Sequence, residues 1–435
     1  MALALTMTQS CRETPTVPLD TRTVRSIRLG AIGDFAMSVG QTMQLVVTLR
    51  DSMSNIITDR VVSFASSDTT VAVVNSSGVV SARRTGMSSL TARVDSLSAG
   101  STLRVAPPTP QFAQIEVGGS TTCALTATGS AFCWPNRFSA GSSNGAPQLV
   151  AAPVPFQSIA VGNTHQCALD ASGLAYCWGD NSTFQLGTGD TLSHAAPTPV
   201  LGGLHFTSIS AGWRSTCAIA ADGTAYCWGF NASGELGNGS TTSSAVPVPV
   251  SGGLHFSSLS AGDAFACGLT SAGAVCWGDN HVGELGHGDT LSTTIPVQVA
   301  GGLSFTSISA GGAHACGVTA PGTAYCWGAN ISGDLGIGSS PNAFVHPTPQ
   351  PVAGGLTWRA VSAGGMTCGT ATTGLSYCWG GNLYSLLADG TWTMSSPVPA
   401  LVWGGLRFRL LSARGDHACA LGFDALVYCW GGYVS

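Results

Sequence analysis

The sequence has no lysine, few charged residues and no long apolar run. All 16 basic residues in the 435-residue chain are arginine, and charged residues make up only 9% of it, against 44% hydrophobic residues and 58 glycines. This composition differs from that of charge-rich disordered tails and of helical bundles, so we expect most of the chain to fold. No apolar run approaches the roughly 18 residues of a membrane-spanning helix, so we expect no transmembrane segment.

The scarcity of positive charge also limits the partners of the larger part of the chain. After residue 110, six arginines stand against fourteen acidic residues, a net charge of −8. A nucleic-acid binder needs a basic stripe, so we expect neither DNA, RNA nor an anionic membrane surface as a partner of this part.

Cysteine reveals an internal repeat. Fourteen of the fifteen cysteines form seven pairs nine or ten residues apart: Cys123 with Cys133, Cys167 with Cys177, Cys217 with Cys227, Cys267 with Cys276, Cys316 with Cys326, Cys368 with Cys378, and Cys419 with Cys429. Successive pairs are separated by 44, 50, 50, 49, 52 and 51 residues. A unit of about fifty residues therefore occurs seven times.

Each unit is predicted to be a small antiparallel sheet. The best-preserved copy runs from Phe206 to Gly253 and contains short alternating apolar runs separated by glycine, asparagine and aspartate, with proline confined to its last run. Proline is tolerated there because an outer strand has a free edge. Seven such sheets, none of which can bury both faces alone, predict an all-β fold, a seven-bladed β-propeller over residues 108–435.

The cysteine pairs admit two interpretations. The loop Ala221-Asp222-Gly223 suits a hairpin that places Cys217 opposite Cys227, so each pair could form a cross-strand disulfide, typical of an oxidising compartment. Alternatively, each cysteine is a small buried hydrophobe. Cys267 and Cys276 are one residue closer, so a bulge or an altered loop must restore their facing geometry. No pair has the short spacing of a zinc site.

The repeats resemble those of the regulator of chromosome condensation family. The shared motifs are Cys167-Ala-Leu169, Trp178-Gly179 and Gln185-Leu-Gly187-Thr-Gly189. The likeness weakens where Pro135 follows Trp134, and in the last unit, which stops at Gly432-Tyr-Val-Ser435 without an outer strand. The segment before Phe112 could supply the missing strand, or the last blade is thinner than the rest.

Residues 20–107 lack the fifty-residue period and alternate short strands with turns, which predicts a small sandwich. Their order resembles the group 2 bacterial immunoglobulin-like domain, which usually serves as a spacer or adhesion module. Pro107, Pro108 and Pro110 predict a stiff linker. Residues 1–19 are interpreted as a truncated secretion or lipoprotein-like segment with Cys11 as a lipidation site and possible lipid anchor, or as a frayed tail.

The sequence offers no catalytic constellation, so we expect no enzyme activity, no cofactor and no metal site. The histidines His165, His314 and His417 occupy one repeat position, which repeat membership explains better than catalysis. Around it, between each Ala-Gly and its cysteine, the repeat varies most and is predicted to line one rim. The predicted binding residues there are Trp213, Arg214, Asp263, Phe265, His314, Met366, Asp416 and His417, beside Asn163 and His165. The same side chains could instead pack between blades.

The sequence thus predicts an extracytoplasmic, non-enzymatic binding or scaffold protein whose propeller rim binds a protein or a glycan. A secreted enzyme inhibitor is a specific variant of this prediction. An intracellular regulator of a small GTPase, of the guanine-nucleotide exchange type, would require reduced thiols. A lyase or glycosidase would need paired carboxylates near the channel, which the scattered single acids do not provide.

Overall fold

The computed structural model describes residues 23–29, 35–106, 110–135, 146–338 and 344–432. The chain divides into two compact units, Met1–Pro110 and Gln111–Ser435. Cys11 and residues 1–19 lie outside the described residues, as do Pro107 and Pro108 of the expected linker.

The described residues of the first unit form ten strands and no helix. They are β1 (Ser26–Leu29), β2 (Phe35–Ser38), β3 (Thr42–Gln44), β4 (Val47–Arg50), β5 (Ile56–Ile57), β6 (Ser63–Ser66), β7 (Ala72–Val74), β8 (Val79–Ala82), β9 (Gly86–Val94) and β10 (Leu97–Ala106). They form three sheets, ordered β1-β4-β5, β2-β10-β9-β6 and β3-β8-β7. Leu90 and Leu103, both fully buried, lie in their common core.

The described residues of the second unit form seven successive sheets. Sheets 1 to 3 are β11 (Phe112–Val117), β12 (Thr121–Thr126), β13 (Ala131–Pro135) and β14 (Gln148–Leu149); β15 (Phe156–Val161), β16 (His165–Asp170), β17 (Ala175–Gly179) and β18 (His194–Pro199); and β19 (Phe206–Ala211), β20 (Ser215–Ala220), β21 (Ala225–Gly229) and β22 (Ser244–Pro249).

Sheets 4 to 7 follow the same plan. They are β23 (Phe256–Ala261), β24 (Phe265–Thr270), β25 (Gly273–Gly278) and β26 (Thr293–Gln298); β27 (Phe305–Ala310), β28 (His314–Thr319), β29 (Ala324–Ala329) and β30 (Val345–Pro351); β31 (Trp358–Ala363), β32 (Thr367–Ala371), β33 (Ser376–Gly381) and β34 (Ser395–Leu401); and β35 (Phe408–Arg414), β36 (His417–Gly422) and β37 (Val427–Gly431). Two 3₁₀ helices, Leu383–Ser385 and Trp403–Gly405, flank β34.

The four strands of sheets 1 to 6 and the three strands of sheet 7 pair in chain order and run antiparallel, as the alternating apolar pattern predicts. The first strand opens with an aromatic residue that packs against the tryptophan of the third strand; Phe206, for example, lies 6.0 Å from Trp228 between ring centroids. These aromatic pairs give each sheet a core of its own. Neighbouring sheets then share apolar clusters, such as the one joining Cys167 of sheet 2 to Trp228 of sheet 3.

Sheet 1 packs against sheet 7. The backbone N–H of Val117 donates to the Ser412 hydroxyl at 3.0 Å, and Thr122 Oγ1 lies 3.0 Å from His417 Nε2. Phe112 and Ile115 share an apolar cluster with Leu421. The first and last repeats are therefore neighbours in space although they lie nearly 300 residues apart in the chain.

Two irregularities of the repeat are resolved in the structure. The shortened unit keeps Cys267 opposite Cys276 through an altered loop, in which Thr270 pairs directly with Gly273 and only Ser271 and Ala272 turn the chain. Sheet 7 has three strands, because no described residue pairs with the free edge of β37. The sequence left open whether the segment before Phe112 supplies a fourth strand to the last repeat or whether that repeat is thinner. In the described residues the last sheet is the thinner one.

Candidate functional site

The hairpin between the second and third strands of every sheet carries one disulfide. All seven cysteine pairs are bonded, with Cα atoms 4.0 or 4.1 Å apart. In each case the two cysteines are direct cross-strand partners, as Cys217 and Cys227 are. The disulfide interpretation is confirmed, and the pairing is the one that the repeat predicted.

The first strands of all seven sheets surround one cavity of about 240 Å³. Serines on five of these strands accept a hydrogen bond from a backbone N–H of the next sheet at 2.9 or 3.0 Å. The pairs are Ala261 to Ser210, Ala310 to Ser260, Ala363 to Ser309, Ala413 to Ser362, and Val117 to Ser412. This row of hydroxyls fixes the spacing of neighbouring first strands around the cavity.

Sheets 1 and 2 interrupt the serine row with Glu116 and Ala160. Ser412 Oγ donates to Glu116 Oε2 at 3.1 Å. Burial raises the pKa of the Glu116 carboxyl to about 7, against the opposing effects of the Ser412 hydrogen bond and the Arg414 charge. The cavity wall therefore holds a carboxyl group that titrates near neutral pH.

Arg414 crosses the end of the cavity. It stands where the other six units have glycine, and its guanidinium donates to the Ala211 carbonyl at 2.7 Å and to Asp263 Oδ1 at 3.3 Å. Since Ala211 belongs to sheet 3 and Asp263 follows the first strand of sheet 4, one side chain of sheet 7 ties together three sheets. Arg414 and Asp263 therefore form a polar bridge at this end of the cavity.

We define the rim loops as the segments that follow the seven first strands: residues 118–120, 162–164, 212–214, 262–264, 311–313, 364–366 and 414–416. The backbones of these loops are joined to one another, as where the Trp213 N–H donates to the Gly262 carbonyl at 3.2 Å. The rim loops thus form a continuous band at one end of the cavity.

Of the predicted rim residues, Trp213 and Arg214 are exposed as whole residues. Trp213 is 41% exposed, and the Arg214 guanidinium lies over its ring at 4.7 Å from the centroid, and 6.0 Å from the centroid of Phe230. A guanidinium stacked on an indole is held in one orientation while its charge stays in water. Asp263 and Asp416 are also accessible, with side chains 43% and 41% exposed.

Four of the predicted rim residues are buried, so the prediction that they are exposed is wrong for them. They are Phe265 at 2%, His314 at 3%, Met366 at 0% and His417 at 5% exposure, and His165 at the same repeat position is at 0%. This position begins or precedes the second strand, and its side chain turns toward the next sheet rather than toward solvent. Asn163 is half-buried in its rim loop.

The three buried histidines link neighbouring sheets. In each, Nε2 lies within hydrogen-bond distance of a threonine Oγ1 of the following sheet: His165 with Thr216 at 2.8 Å, His314 with Thr367 at 2.7 Å, and His417 with Thr122 at 3.0 Å. Thr216 already donates its own proton to the Gln185 carbonyl at 2.9 Å. The His165 ring must therefore donate from Nε2.

Burial lowers the pKa of His165 to about 3 and also lowers that of His314. Both rings are therefore neutral at physiological pH. Where the repeat position is apolar instead, the partner in the next sheet is alanine: Phe265 packs with Ala315, and Met366 with Ala418. The variation at this position is thus matched across these five sheet boundaries, as expected for side chains that pack between sheets.

The sequence prediction missed Glu116 and Arg414, although the repeat contained the signal. Glu116 stands at a repeat position that is serine or alanine in the other units. Arg414 stands at a position that is glycine in the other units. In a repeat protein, a charged residue at a position occupied by small residues in the other repeats indicates an interaction that those repeats do not make.

Among the residues that the structure describes, no group of three or more His, Cys, Asp or Glu side chains could hold a metal ion. No helix in the described ranges is long and apolar enough to cross a membrane.

The sheets, their aromatic cores and the shared cavity define an all-β protein of the propeller class. Within this class, the regulator of chromosome condensation (RCC1) repeat matches residues 172–219, 222–269, 275–318 and 321–370, and a second form of the repeat matches 156–185, 206–235 and 305–334. The chain therefore carries RCC1 repeats, which build a protein-binding scaffold fold, and nothing in these matches indicates a catalytic activity.

Known proteins share this repeat region. The ultraviolet-B receptor UVR8 of Arabidopsis thaliana is 31% identical over 110 residues, which cover 25% of this chain and 24% of the receptor, so the match spans about a quarter of that relative. The structure of Prp20p from Saccharomyces cerevisiae matches with a TM-score of 0.62 at 19% identity, over 72% of this chain and 84% of Prp20p. Human WBSCR16 matches with a TM-score of 0.63 at 15% identity, over 82% and 92% of the two chains. Both structures resemble the chain in fold.

Proposed function

We propose that the chain is an extracytoplasmic, non-enzymatic binding protein that holds a protein partner against its rim loops. The observation that carries this proposal is the exposed Trp213 with Arg214 stacked on it. Tryptophan and arginine dominate the energetics of protein interfaces, because they bury a large area while making directional polar contacts. The accessible carboxylates of Asp263 and Asp416 add hydrogen-bond acceptors to the same band.

In this proposal the seven sheets are the blades of a closed β-propeller. The contacts of sheet 1 with sheet 7 and the single cavity surrounded by all seven first strands support closure. Closure makes the rim loops a rigid platform, because each loop is held by a disulfide-bonded hairpin behind it and by its neighbours on both sides. A rigid platform loses little conformational entropy on binding.

The disulfides support an extracytoplasmic location. Seven bonded pairs would be reduced in a cytosol poised by glutathione, whereas they persist in secreted and cell-envelope proteins. They also disfavour an intracellular GTPase regulator. Binding to Gsp1p and histones was studied for Prp20p, and yeast RCC1 has been solved with Kap60 bound. Gsp1p, histones and Kap60 are partners of the yeast proteins. At 19% identity, the yeast proteins resemble this chain in fold.

We further propose that residues 20–107 form an immunoglobulin-like spacer. Support comes from the ten short strands and three sheets around an apolar core that includes Met37, Val80 and Leu90. A lipid on Cys11 would anchor such a spacer to an envelope, and this part of the proposal rests on the sequence alone.

A photo-crosslinking comparison tests the rim. A photoreactive phenylalanine analogue replaces Trp213 in one variant and Trp392, a 95% exposed tryptophan of sheet 6, in the control. We expect residue 213 to capture a protein in the native envelope fraction that residue 392 does not capture. With that protein purified, Trp213→Ala should weaken binding at least tenfold and Trp392→Ala should not. Equal capture at both positions, or equal affinities of Trp213→Ala and Trp392→Ala for the partner, would refute the rim as the binding surface. If the captured protein is a secreted hydrolase, the specific function is that of an enzyme inhibitor.

A further inference from the structure

The cavity between the seven first strands has two walls of different hydrogen-bonding character. In every sheet, the first-strand residue that pairs with the first cysteine of the hairpin lines this cavity. The seven residues are Glu116, Ala160, Ser210, Ser260, Ser309, Ser362 and Ser412. The sheets follow one another around the cavity, with sheet 1 beside sheet 7. Sheets 4 and 5 therefore lie opposite sheet 1, and the serines of sheets 3 to 5 lie across the cavity from Glu116.

On the wall that sheet 1 forms, Glu116 presents a carboxyl oxygen to the cavity. Its Oε2 accepts the Ser412 hydroxyl at 3.1 Å, whereas its Oε1 has no hydrogen-bond partner among the described residues. The neighbouring sheet 2 has Ala160 at the same repeat position, so that side offers no hydroxyl donor there. The arginine of the lining, Arg414, is bonded to Asp263 instead. An ionised Glu116 would thus lack a hydrogen-bonded counter-charge, which is costly inside a protein.

On the opposite wall, the serines of sheets 3 to 5 have hydroxyl protons that they donate to no described residue. Ser210, Ser260 and Ser309 each accept a backbone N–H of the next sheet at 2.9 or 3.0 Å, which fixes the position of the hydroxyl oxygen. A hydroxyl that accepts one hydrogen bond still has a proton to donate. Ser412 uses its proton on Glu116. The wall of sheets 3 to 5 therefore offers hydrogen-bond donors to a molecule inside the cavity.

Arg414 adds further donors on the side of sheets 3 and 4. Its guanidinium reaches the carbonyl of Ala211, the residue after Ser210, at 2.7 Å, and Asp263 Oδ1 at 3.3 Å. These contacts use two of the five N–H donors of a guanidinium, so three remain. One side of the cavity therefore carries an acceptor that favours a cation, and the other carries donors that favour an anionic oxygen.

We propose that the cavity binds a small zwitterion of the amino acid class, with its ammonium group on Glu116 and its carboxylate on Ser210, Ser260 and Arg414. The ammonium supplies the counter-charge that an ionised Glu116 lacks, and the carboxylate supplies acceptors for the serine hydroxyls and the guanidinium. The cavity of about 240 Å³ has room for such a molecule, since one water takes about 30 Å³ in the liquid. This site is separate from the rim loops and does not depend on a protein partner there.

Binding of the ammonium group is coupled to loss of the Glu116 proton. Burial raises the pKa of this carboxyl to about 7, and an adjacent cation favours its ionised form. Glu116 and Arg414 are the only ionisable residues of the lining, and Arg414 and its partner Asp263 stay charged from pH 6 to pH 8. Burial lowers the pKa of the nearby His165, which stays neutral. Affinity for the zwitterion should therefore rise about tenfold from pH 6 to pH 8.

Calorimetric titration of the whole chain at pH 8 tests the proposal with zwitterions of increasing length: glycine, β-alanine, 4-aminobutanoate and 6-aminohexanoate. We expect saturable binding of one molecule per chain for the zwitterion whose length fits the cavity. Its two matched controls each lack one of the charges, as butylamine and butanoate do for 4-aminobutanoate, and should bind at least roughly tenfold more weakly. If none of the four binds at millimolar concentration, or if either control binds as tightly as its zwitterion, the proposal is wrong.

Two variants locate the bound zwitterion. Glu116→Gln removes the charge but keeps an acceptor for Ser412, so it should lower the affinity at pH 8 at least roughly tenfold and abolish its pH dependence. Glu235→Gln is the matched control, because Glu235 is also buried but lies outside the cavity lining, at a repeat position where sheet 2 has Gln185. The control should keep the wild-type affinity and pH profile. Wild-type affinity in the Glu116 variant, or equal losses in both variants, would contradict the assignment.

Discussion

Glu116 places a titrating carboxyl in the wall of the central cavity, and its raised pKa has a consequence for stability. The folded protein binds this proton up to a pH of about 7, whereas the ordinary pKa of a glutamate is 4.5. Between these values the folded state holds more protons than the unfolded chain, so the contribution of this group to stability falls as pH rises from 4.5 to 7.

Glu116→Gln keeps a carbonyl acceptor for Ser412 but carries no charge at any pH. We therefore expect the variant to gain stability relative to the wild type as pH rises from 5 to 8, by about 1 to 2 kcal/mol. Urea unfolding at a series of pH values measures this difference. Two stability profiles that stay parallel over this range would contradict the raised pKa.

His165 and Thr216 offer a residue-scale test of packing between sheets. Thr216→Ala leaves a buried Nε2–H without its acceptor, so we expect a loss of about 1 to 3 kcal/mol. The double variant His165→Phe/Thr216→Ala has the same pair of residues as Phe265 and Ala315 between sheets 4 and 5. We expect it to recover part of the lost free energy of unfolding. A double-mutant cycle by urea unfolding measures the coupling; strictly additive losses would show that the two side chains act independently.

The same pair predicts a response to acid. The pKa of His165 lies at about 3 in the fold, against an ordinary value of 6.5 for a histidine. Its neutral form therefore contributes stability that is fully present above pH 6.5 and is lost as pH falls toward 3. The His165→Phe/Thr216→Ala variant should lose less stability than the wild type between pH 6.5 and 4, as thermal unfolding at each pH would show. An unchanged acid sensitivity would mean that other groups dominate it.

At the scale of the element, the turns after the third strands of sheets 2, 3 and 4 each accept a hydrogen bond from the tryptophan of the following sheet. Trp277 Nε1 donates to the Glu235 carbonyl at 2.9 Å, and Gly237, with φ +62°, lies so close that a Cβ there would be 2.7 Å from Trp277 Nε1. Gly253 has nearly the same φ, +60°, but a Cβ there would meet nothing within 4 Å. The two glycines share a backbone conformation and differ in packing.

Gly237→Ala should therefore destabilise the protein by about 2 to 4 kcal/mol, because it adds a steric clash to the backbone cost. Gly253→Ala pays the backbone cost alone, about 1 kcal/mol. Urea midpoints of the two variants measure the difference, and tryptophan fluorescence should change in the first variant only. Equal midpoints would contradict a packing role for Gly237.

The elements followed from the sequence because their signals are local and repeated. Cysteine spacing fixed the register of each hairpin, and proline marked the fourth strands correctly. The orientation of the side chain two residues before each cysteine did not follow, because it depends on the neighbouring sheet: His314 is buried by Thr367, which lies 53 residues later. A comparison of each unit with the next would have revealed the pattern. Where the residue two before the cysteine is histidine, the residue one before the next unit's cysteine is threonine, and where it is Phe265 that residue is alanine.

For the whole molecule, the disulfides predict a measurable mass. Protein purified without reductant should be lighter than the fully reduced chain by two hydrogens for each of the seven bonds. Alkylation before reduction should leave these fourteen cysteines unmodified. Fourteen free thiols in protein from its native host would contradict both the bonded hairpins and the extracytoplasmic proposal.

The candidate site was less accessible to prediction than the fold. Trp213 and Arg214 were among the variable positions that the repeat singled out, and both are exposed in the structure. Arg414 escaped notice because its partners, Ala211 and Asp263, lie more than 150 residues away, across a cavity whose width no local pattern encodes. Contacts across this cavity depend on how all seven sheets are arranged around it.

Every disulfide closes a loop of nine or ten residues, and none joins one sheet to another. If the chain is exported, as we propose, a hairpin can be oxidised as soon as its own two cysteines have emerged, while the cysteines of the next unit are still at least 34 residues behind. Short loops close faster and at lower entropic cost than long ones, so correct partners meet before incorrect ones are available. Oxidative folding of this chain can proceed in the direction of synthesis, repeat by repeat, with little need for disulfide isomerisation.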